Sequence, residues 1–505
     1  MEPLHISQGQ AVSEKARHDV ELKSGNLPVL DPKMNFRRRF ESFFDGTIMI
    51  PVNSGIMYCV CRPFCEVMER SFVLSGGLTG DESIHNSRRI VMKKVIAVLM
   101  ALTMVFSLAM LAGCGEKKEE APAEEPAAEE QKSDEELAKE CADLIDAIYV
   151  QEWTEQTEEQ CKAAKAAWDA LTDAQKEMVE GEEASPDYFG ADTGDASKDD
   201  PLNEAPDKEN ELLVVSFGTS FNDSRAEDIG GIEKALAKAN PDWAVRRAFT
   251  AQIIINHVFA RDGEQIDNVD QALQKAIDAK VKNLVIQPTH LMHGAEYDEL
   301  VGALDKVKDQ FDSVKVAEPL LGEVGKDAKD INADKEAMGK ALVAEAVAKS
   351  DYDTLDAAAA DGTAFVFMGH GTSHVAAVTY DQMQAQFEKL GYKNVFVGTV
   401  EGNPADTALP EVKKAVEKAG FKKIILRPMM VVAGDHANND MAGDEEGSWY
   451  YGFVNGGEFE VEGADEPVDI GEGLGKDNVT CQIEGLGRIA DIQKIYVQHT
   501  ADALK

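Results

Sequence analysis

Leu212-Leu-Val-Val-Ser-Phe-Gly-Thr-Ser220 is an apolar run that ends in glycine and hydroxyl residues, and Phe365-Val-Phe-Met-Gly-His-Gly-Thr-Ser373 repeats this pattern. A second pair of stretches, Ile286-Gln-Pro-Thr-His-Leu-Met-His-Gly-Ala-Glu296 and Leu426-Arg-Pro-Met-Met-Val-Val-Ala-Gly-Asp-His436, shares a proline and a glycine at a spacing of six. Short apolar runs bounded in this way predict buried β-strands. Open α/β sheets bind ligands at the carboxyl ends of their strands. We therefore expect the chemistry in a cleft between two similar halves.

Strand-like runs alternate with helical stretches from residue 210 to the end of the chain. This alternation predicts parallel sheets covered by helices. Strands are expected at 211–217, 243–249, 282–287, 314–317, 363–368, 394–399 and 423–429. Helices are expected at 225–239, 264–279, 295–311, 334–348, 380–391, 408–419 and 485–503. We predict an α/β fold of two Rossmann-like halves, residues 210–355 and 356–505.

Two further segments lie directly ahead of these halves. Apolar residues recur at helical spacing in 134–180, and Thr172 is a suitable N-cap, which predicts a small module of about three helices. Cys141 and Cys161 in this module could form a disulfide in an oxidising compartment or remain two buried thiols. Residues 181–209 contain Gly, Ser, Pro and Asp without periodicity, which predicts a linker.

Residues 92–114 have the features of a lipoprotein signal peptide. Met92-Lys-Lys94 is basic, residues 95–112 are apolar, and Leu111-Ala-Gly-Cys114 resembles a bacterial lipobox. In proteins with a lipobox the cysteine is diacylated and becomes the first residue after cleavage, which here would be Cys114. The alternative is a transmembrane helix, because about 18 apolar residues can just span a bilayer. The interpretation as a signal peptide predicts an extracytoplasmic, membrane-anchored lipoprotein.

The segments on either side of this signal have no predicted fold. Residues 1–91 show no sustained helical or strand period. We interpret Met92 as the natural start and 1–91 as an upstream translation artefact, and the alternative is a cytoplasmic extension. Residues 115–133 are rich in Glu, Ala, Pro and Lys, which predicts a disordered acidic tether between the anchor and the folded domain.

The net charge and the cysteine content limit the classes of partner and metal site that we expect. The 505 residues carry a formal net charge of −41, which argues against binding to nucleic acid or to anionic membrane surfaces. The expected membrane contact is therefore through the lipid anchor only. Cys481 is the one cysteine of the two halves, so a metal there would have to be bound by histidines and carboxylates. The sequence leaves a homo-oligomer open.

Three residues follow successive predicted strands of the second half. His370 lies in Gly-His-Gly, Glu401 precedes a glycine, and His436 follows Ala-Gly-Asp. Neighbouring parallel strands lie about 5 Å apart, so residues at their ends can converge on one ion. Two imidazoles and a carboxylate suit a divalent ion such as Co, Fe, Ni or Zn, and three protein ligands leave positions open for exchange. A lone histidine after a strand is often only a structural hydrogen-bonding group, and this alternative stays open.

The first half has a different set of residues at the matching positions. Phe217 stands where the second half has His370, and Glu296 stands where it has His436. We therefore expect one half to bind the ion and the other to shape the pocket. His290 could still point into the cleft, whereas His257 on a helical stretch is expected to be structural.

These motifs resemble those of the sirohydrochlorin cobaltochelatases of the CbiK type. The resemblance runs from about residue 210 to 504 in the order of that family. Besides the Leu212–Ser220 stretch, it rests on Arg247-Ala-Phe-Thr250, Gln287-Pro-Thr-His290, Gly294-Ala-Glu-Tyr297, Phe367-Met-Gly-His-Gly371, Val400-Glu-Gly402, Met430-Val-Val-Ala-Gly-Asp-His-Ala-Asn-Asn-Asp-Met441 and Ser448-Trp449.

The resemblance implies a class II chelatase fold and the insertion of Co²⁺ into sirohydrochlorin without ATP, a step of anaerobic cobalamin biosynthesis. It also implies that His370, Glu401 and His436 bind the ion and that His370 is the base. Fe²⁺ and Ni²⁺ are the alternatives to Co²⁺ as the inserted metal. The lipobox, tether and helical module depart from the usual enzyme. A second hypothesis is therefore an extracytoplasmic lipid-anchored protein that binds a tetrapyrrole or metal for uptake.

Sirohydrochlorin carries many carboxylates, whereas this protein is strongly acidic. Local cations are therefore expected to bind the macrocycle, and the candidates are Arg246, Arg247, Arg261 and Arg427, unless these form salt bridges within the protein. Met292, Met429 and Met430 could form apolar walls of the cleft or belong to the ordinary core.

Overall fold

Two parallel four-stranded sheets of the same topology form the centre of the computed structural model, which describes residues 132–190, 193–461 and 466–505. The first sheet contains β1 (Asn210–Ser216), β2 (Ala244–Phe249), β3 (Asn283–Pro288) and β4 (Ser313–Val316) in the order β2-β1-β3-β4. The second contains β5 (Thr363–Gly369), β6 (Val395–Thr399), β7 (Lys423–Pro428) and β10 (Val479–Cys481) in the order β10-β7-β5-β6. Since β5, β6, β7 and β10 take the places of β1, β2, β3 and β4, the predicted α/β fold of two similar halves is confirmed.

Helices cover these sheets. Their bounds in chain order are α1 (Asp134–Asp146), α2 (Thr157–Ala170), α3 (Asp173–Lys176), α4 (Asn222–Ser224), α5 (Gly230–Ala239), α6 (Gln252–Asp262), α7 (Val269–Asp278), α8 (Ala295–Asp305), α9 (Ala333–Ala348), α10 (Leu355–Ala360), α11 (Val378–Lys389), α12 (Leu409–Lys418), α13 (Trp449–Asn455) and α14 (Ala490–Ala503). π-Helical turns occupy Arg225–Ile229 and Ala437–Met441. A short antiparallel ribbon pairs β8 (Gly456–Phe459) with β9 (Val468–Glu472).

The strand predictions are accurate, and the helix predictions are less complete. All seven predicted strands are present with ends that differ by one residue at most, because continuous apolar runs are typical of strands buried on both faces. The predicted helices do not include α6, although His257 within it was assigned to a helical stretch, because the Gln-Ile-Ile-Ile start of α6 resembles a strand and its buried residues lie on several of its sides. The predicted helix 264–279 begins later, at α7, because the Asn268 side chain accepts a hydrogen bond from the Gln271 amide and caps it.

The last helix of the chain packs on the first half. The Tyr496 hydroxyl of α14 donates a hydrogen bond of 2.7 Å to the Thr289 carbonyl, just beyond β3. The Thr500 hydroxyl donates one of 2.7 Å to the Gln287 side chain within β3. Both side chains of α14 are buried. The two halves are therefore joined by the end of the chain as well as by the segment between them.

The helical module ahead of the first half packs on α6. The Asn256 side chain of α6 donates a hydrogen bond of 2.9 Å to the Ile148 carbonyl at the end of α1. The ring of Tyr188 stacks on that of His257 with 4.3 Å between the centroids, and burial lowers the pKa of His257 to about 3. His257 is thus a neutral packing residue. Cys141 and Cys161 are free and buried, and burial raises the pKa of each thiol to about 11.

Several predicted segments lie outside the described residues. These are the extension 1–91, the signal peptide 92–114 with Cys114, and the tether up to residue 131. In the part of the chain that the structure describes, no helix is both long enough and apolar enough to cross a membrane.

The predicted linker 181–209 is fastened to the first half through Asp199. This buried carboxylate accepts hydrogen bonds from Arg225 at 2.8 Å and from Arg247 at 2.5 and 2.9 Å. Burial alone would raise the pKa of Asp199, but the hydrogen bonds and charges of Arg247 and Arg225 hold it below its usual value. A buried carboxylate shared by two buried guanidiniums neutralises charge that the interior could not otherwise accept.

We expect Asp199→Asn to lower the free energy of unfolding by about 3 kcal/mol, because it leaves two buried guanidiniums short of one negative charge. Chemical denaturation at neutral pH measures the change. Ionised Asp199 stabilises the fold at pH values above the pKa of an unfolded aspartate, and this stabilisation is lost as pH falls through the lower folded-state pKa. The free energies of unfolding of the variant and the wild type should therefore become similar in acid. Asp195→Asn, an exposed change in the same segment, should alter stability by less than about 0.5 kcal/mol. Equal effects of the two changes would contradict the account.

Candidate metal centre

His370, Glu401 and His436 lie together at the carboxyl ends of three adjacent strands. Strand β5 pairs with β6 on one side and with β7 on the other, so His370 stands between the residues that follow these two strands. The Nδ1 atom of His370 is 3.4 Å from the Oε1 atom of Glu401. The rings of His370 and His436 are perpendicular with 4.5 Å between their centroids. All three side chains are partly exposed, so a ligand can reach them.

A glycine next to His370 permits this close approach. Gly371 has a φ of +97°, which side-chain-bearing residues rarely adopt. A Cβ atom at this position would lie 2.9 Å from the Cβ of Glu401. The Gly371 amide donates a hydrogen bond of 3.1 Å to the hydroxyl of buried Tyr380, which fixes the loop on α11. The loop that carries His370 can therefore pass directly against the loop that carries Glu401.

Hydrogen bonds at Nδ1 fix the tautomers of both histidines. The Nδ1 atom of His370 lies 2.9 Å from the Gly371 carbonyl, and that of His436 lies 2.6 Å from the Oδ2 atom of Asp440. A carbonyl or carboxylate oxygen can only accept, so each Nδ1 carries the hydrogen. Each Nε2 atom then retains its lone pair in the neutral ring. Both imidazoles are therefore prepared to bind an ion through Nε2.

Asp440 is a functional candidate that the sequence analysis did not single out. The π-helical turn Ala437–Met441 brings it back to His436, four residues earlier. Its hydrogen bond raises the pKa of His436, burial opposes this, and the charges of Asp440, Asp435 and Glu401 add to the rise. A carboxylate behind a metal-binding histidine orients the ring and makes it a stronger ligand. The available signal was the i, i+4 spacing of His436 and Asp440 in a helical turn.

Among the described residues, the group whose ligand atoms lie close enough to share an ion has only His436 in common with the three predicted ligands. Asp435, His436 and Asp440 each offer a ligand atom, and these atoms lie within 4.8 Å of one another. Burial raises the pKa of Asp435, although the charge of His436 opposes the rise. With Glu401 these carboxylates give the surface around the candidate ligands a negative charge, which favours the approach of a hydrated cation.

The first half contributes other groups. Phe217 follows β1 and remains 43% exposed, and Glu296 lies in the first turn of α8. His290 lies between them in the chain, and among the described residues neither of its ring nitrogens has a hydrogen-bond partner. Burial lowers the pKa of His290 to about 4 against the opposing charge of Glu296, so this ring is neutral. His293 pairs with Glu318 at 3.2 Å.

Direct bonds hold the His436 loop on the first half. The Ser224 hydroxyl donates a hydrogen bond of 2.6 Å to the Ala433 carbonyl, and the Ala433 amide donates one of 3.0 Å to Asp228. Gly434 lies so close to Thr219 that a Cβ atom would stand 2.8 Å from the threonine hydroxyl. The loop of the second half that carries the candidate ligand His436 is therefore positioned by the first half.

The four candidate arginines do not provide free cations. Arg246 pairs with Glu211, Arg247 with Asp199 and Glu233, Arg261 with Asp262, and Arg427 with Glu484. The side chain of each is less than 10% exposed. The expectation that they bind substrate carboxylates is wrong, because a buried guanidinium requires a carboxylate from the protein itself.

The methionines divide between core and surface. Of these three methionines, Met292 and Met429 are buried in the main core, and Met430 is partly exposed.

A cavity of about 950 Å³ lies between the helical module and the first half, and none of the three candidate ligands lines it.

Comparisons with known proteins show the family of this chain. A family model described as cobalt chelatase (CbiK) matches residues 210–505. A sirohydrochlorin cobaltochelatase of Salmonella typhimurium is 31% identical over 293 residues, which cover 58% of this chain and 96% of that protein. The sirohydrochlorin cobaltochelatase CbiKC of Nitratidesulfovibrio vulgaris is 31% identical over 252 residues, which cover 49% of this chain and 81% of that protein.

Two solved structures are more distantly similar. SirB from Bacillus subtilis with Fe³⁺ is 13% identical with a TM-score of 0.38, and the match covers 58% of this chain and 95% of SirB. The sirohydrochlorin chelatase SirB from Bacillus subtilis subspecies spizizenii in complex with cobalt is 12% identical with a TM-score of 0.35, over 58% and 94% of the two chains.

We expect Asp440→Asn to weaken Co²⁺ binding about tenfold at about pH 8, because the neutral amide makes His436 a poorer ligand. The raised pKa of His436 means that protons compete for the ring at a higher pH in the wild type than in the variant. The difference in cobalt affinity should therefore narrow as pH falls. Metal titration across pH measures it, with exposed Asp444→Asn as the control. An unchanged affinity at pH 8 would contradict the role of Asp440.

Proposed function

The chain belongs to the cobalt chelatase (CbiK) family, and on this premise we propose that it inserts Co²⁺ into sirohydrochlorin without ATP, with His370 as the base. The observation that carries the proposal is the proximity of His370, His436 and Glu401, with the Nε2 lone pair of each imidazole left for an ion and Glu401 3.4 Å from the Nδ1 atom of His370. Three such groups can bind a divalent ion while its other positions stay open to water or substrate.

The first task of the site is to take the ion from water. The negative charge of Glu401, Asp435 and Asp440 attracts the hydrated cation. The two imidazoles and Glu401 then replace part of its water. Binding through partly exposed side chains keeps the ion exchangeable, because no buried cage surrounds it. The ion is thus substrate and not a resident cofactor.

The second task is proton transfer. Insertion of a divalent ion into the macrocycle releases two pyrrole N–H protons. The neutral ring of His370 keeps a lone pair on Nε2, so His370 can accept one proton there once the ion has left that atom. His436, whose pKa is raised by Asp440, is suited to accept the other. The charge of the site is then conserved, since two protons replace one divalent cation.

Co²⁺ is the first candidate for the metal, and Fe²⁺ and Ni²⁺ are the others. A set of two imidazoles and one carboxylate does not select strongly among these ions, because affinity follows the general order of the first-row metals. Selection would therefore depend on which ion is available and on the geometry that the macrocycle imposes.

We also propose that the chain is an extracytoplasmic lipoprotein anchored through Cys114. The support is the sequence of residues 92–114 alone, with its basic start, apolar run and lipobox-like end. In that setting the alternative function, binding of a tetrapyrrole or metal for uptake, would use the same cleft without turnover.

We expect His370→Ala to reduce insertion of Co²⁺ into sirohydrochlorin by about 10³-fold, because it removes both a ligand and the base. His436→Ala and Glu401→Gln should each reduce it by about 100-fold, through weaker metal binding. The absorption change of the macrocycle in an assay without ATP measures the rate. Glu411→Gln, an exposed change on α12, is the matched control for Glu401 and should have no effect. Wild-type turnover in His370→Ala would refute the proposal, and binding without turnover in the wild type would favour the alternative function.

We expect Cys114→Ala to abolish lipid attachment and to release the folded domain from the membrane fraction, because the thiol is the acylated group. Labelling with a radioactive fatty acid and membrane fractionation measure both effects. Cys481→Ala should keep the label. A wild-type chain without label would contradict the proposed anchor.

A further inference from the structure

Glu401 lies in the loop 400–408 between β6 and α12, which we call the Glu401 loop. The Glu401 amide donates a hydrogen bond of 3.0 Å to the His370 carbonyl. The Asn403 amide donates one of 3.1 Å to the hydroxyl of Thr399, the last residue of β6. The main chain is therefore fixed at Glu401 and again two residues later, with Gly402 between these points.

Gly402 has no room for a side chain of its own. Its φ is +59°, and a Cβ atom there would lie 2.8 Å from the Cβ of Ala408, closer than two such carbons approach in proteins. The same Cβ position is 3.7 Å from the Cγ1 atom of Val461, which is a van der Waals distance. Val461 lies just beyond β8 and is half-buried. It therefore stands against the Glu401 loop at the residue that directly follows Glu401.

A buried lysine anchors the β8–β9 ribbon, from which Val461 extends. The ammonium of Lys413 in α12 donates hydrogen bonds of 2.8 Å to the Ile470 carbonyl and of 2.9 Å to the Glu472 carbonyl, both in β9. A buried ammonium requires such partners, so these bonds hold β9 firmly on α12. Because α12 begins directly after the Glu401 loop, one helix both holds the ribbon and ends the loop.

Apolar contacts fix the ribbon from its other side. A Cβ atom at Gly452 in α13 would lie 3.2 Å from the Cδ2 atom of Phe459, at the end of β8. Ile470 of β9 is buried in the cluster that also contains Leu409 at the start of α12. The two strands of the ribbon are paired with each other. The position of Val461 is thus set by the packing of α12 and α13.

We propose that the β8–β9 ribbon is a positioning element of the metal centre, in which Val461 holds the Glu401 loop and so orients the Glu401 carboxylate. The inference rests on the proposed role of Glu401 as a metal ligand. A ligand on a loop keeps one direction only where the groups behind it fix its main chain. The His370 carbonyl does this at Glu401 itself, and Val461 does it at Gly402. Val461 is a positioning residue that binds neither the ion nor the macrocycle.

The test is the affinity of the full chain for Co²⁺, measured by metal titration. Val461→Ala should weaken binding about 3- to 10-fold, a coupling typical of residues in contact. In Glu401→Gln the same change should have no further effect, because the carboxylate that Val461 orients is absent. A merely structural role of Val461 would give the same loss in both backgrounds. Val468→Ala removes the same atoms from an exposed residue of the ribbon and is the matched control, without effect.

A second pair of variants tests the anchor of the ribbon. Lys413→Met removes both hydrogen bonds to β9 and keeps an apolar chain of similar length, and it should weaken Co²⁺ binding by a similar factor. Lys414 is its exposed neighbour on α12 and pairs with Glu411. Lys414→Met is therefore the matched control and should have no effect. Denaturation without metal gives the stability of each variant, and affinities are compared under conditions in which every variant is folded.

The outcomes separate this proposal from the function on which it rests. If Glu401→Gln weakens Co²⁺ binding but Val461→Ala and Lys413→Met do not, the positioning role is wrong and the chelatase proposal stands. If Val461→Ala causes an equal loss with and without the Glu401 carboxylate, the positioning role is again wrong. If Glu401→Gln leaves Co²⁺ binding unchanged, the ligand role of Glu401 and the positioning role fail together.

Discussion

The candidate site depends on one arrangement, in which two histidines are held by their Nδ1 hydrogens so that both Nε2 atoms stay free. The partner of His370 is the carbonyl of its own neighbour, Gly371, whereas the partner of His436 is a carboxylate one helical turn away. Because a ring held at one nitrogen has a defined orientation, each Nε2 lone pair has a set direction before an ion binds. The parallel pairing of β5 with β6 and β7 then brings Glu401 to 3.4 Å from the Nδ1 atom of His370.

The two halves share a topology but differ in their polar groups. The second half has His370, Glu401 and His436 at its strand ends, whereas the first half has exposed Phe217 and the neutral His290, whose ring nitrogens are buried. The arginines of the first half that the sequence offers for anion binding serve instead to bind the linker and internal carboxylates. The two halves are therefore similar scaffolds, of which one carries the candidate ligands and the other positions the loop around Ala433.

The sequence was sufficient for the strands and for the placement of the three candidate residues at one edge of the second sheet; their role as ligands stays a prediction. Both follow from local signals, since buried parallel strands are continuous apolar runs and their carboxyl ends meet at one edge of a sheet. The sequence was not sufficient for the bounds of α6. This helix is enclosed between a sheet and the helical module, so it lacks the alternation of apolar and polar residues by which a helix is recognised. The pairing of His436 with Asp440 and the packing of the helical module on α6 were also missed. These contacts depend on a π-helical turn and on the docking of a separate module, neither of which leaves a period in the sequence.

The position of α14 has a consequence for how the chain reaches its native state. The polar side chain of Gln287 is buried within β3 and meets the Thr500 hydroxyl, and the Thr289 carbonyl meets the Tyr496 hydroxyl. These partners lie 207 and 213 residues later in the chain, in the second half. The first half therefore cannot make these two hydrogen bonds until the second half has been synthesised. A fragment that contains the first half alone would leave the Gln287 side-chain oxygen and the Thr289 carbonyl without these partners.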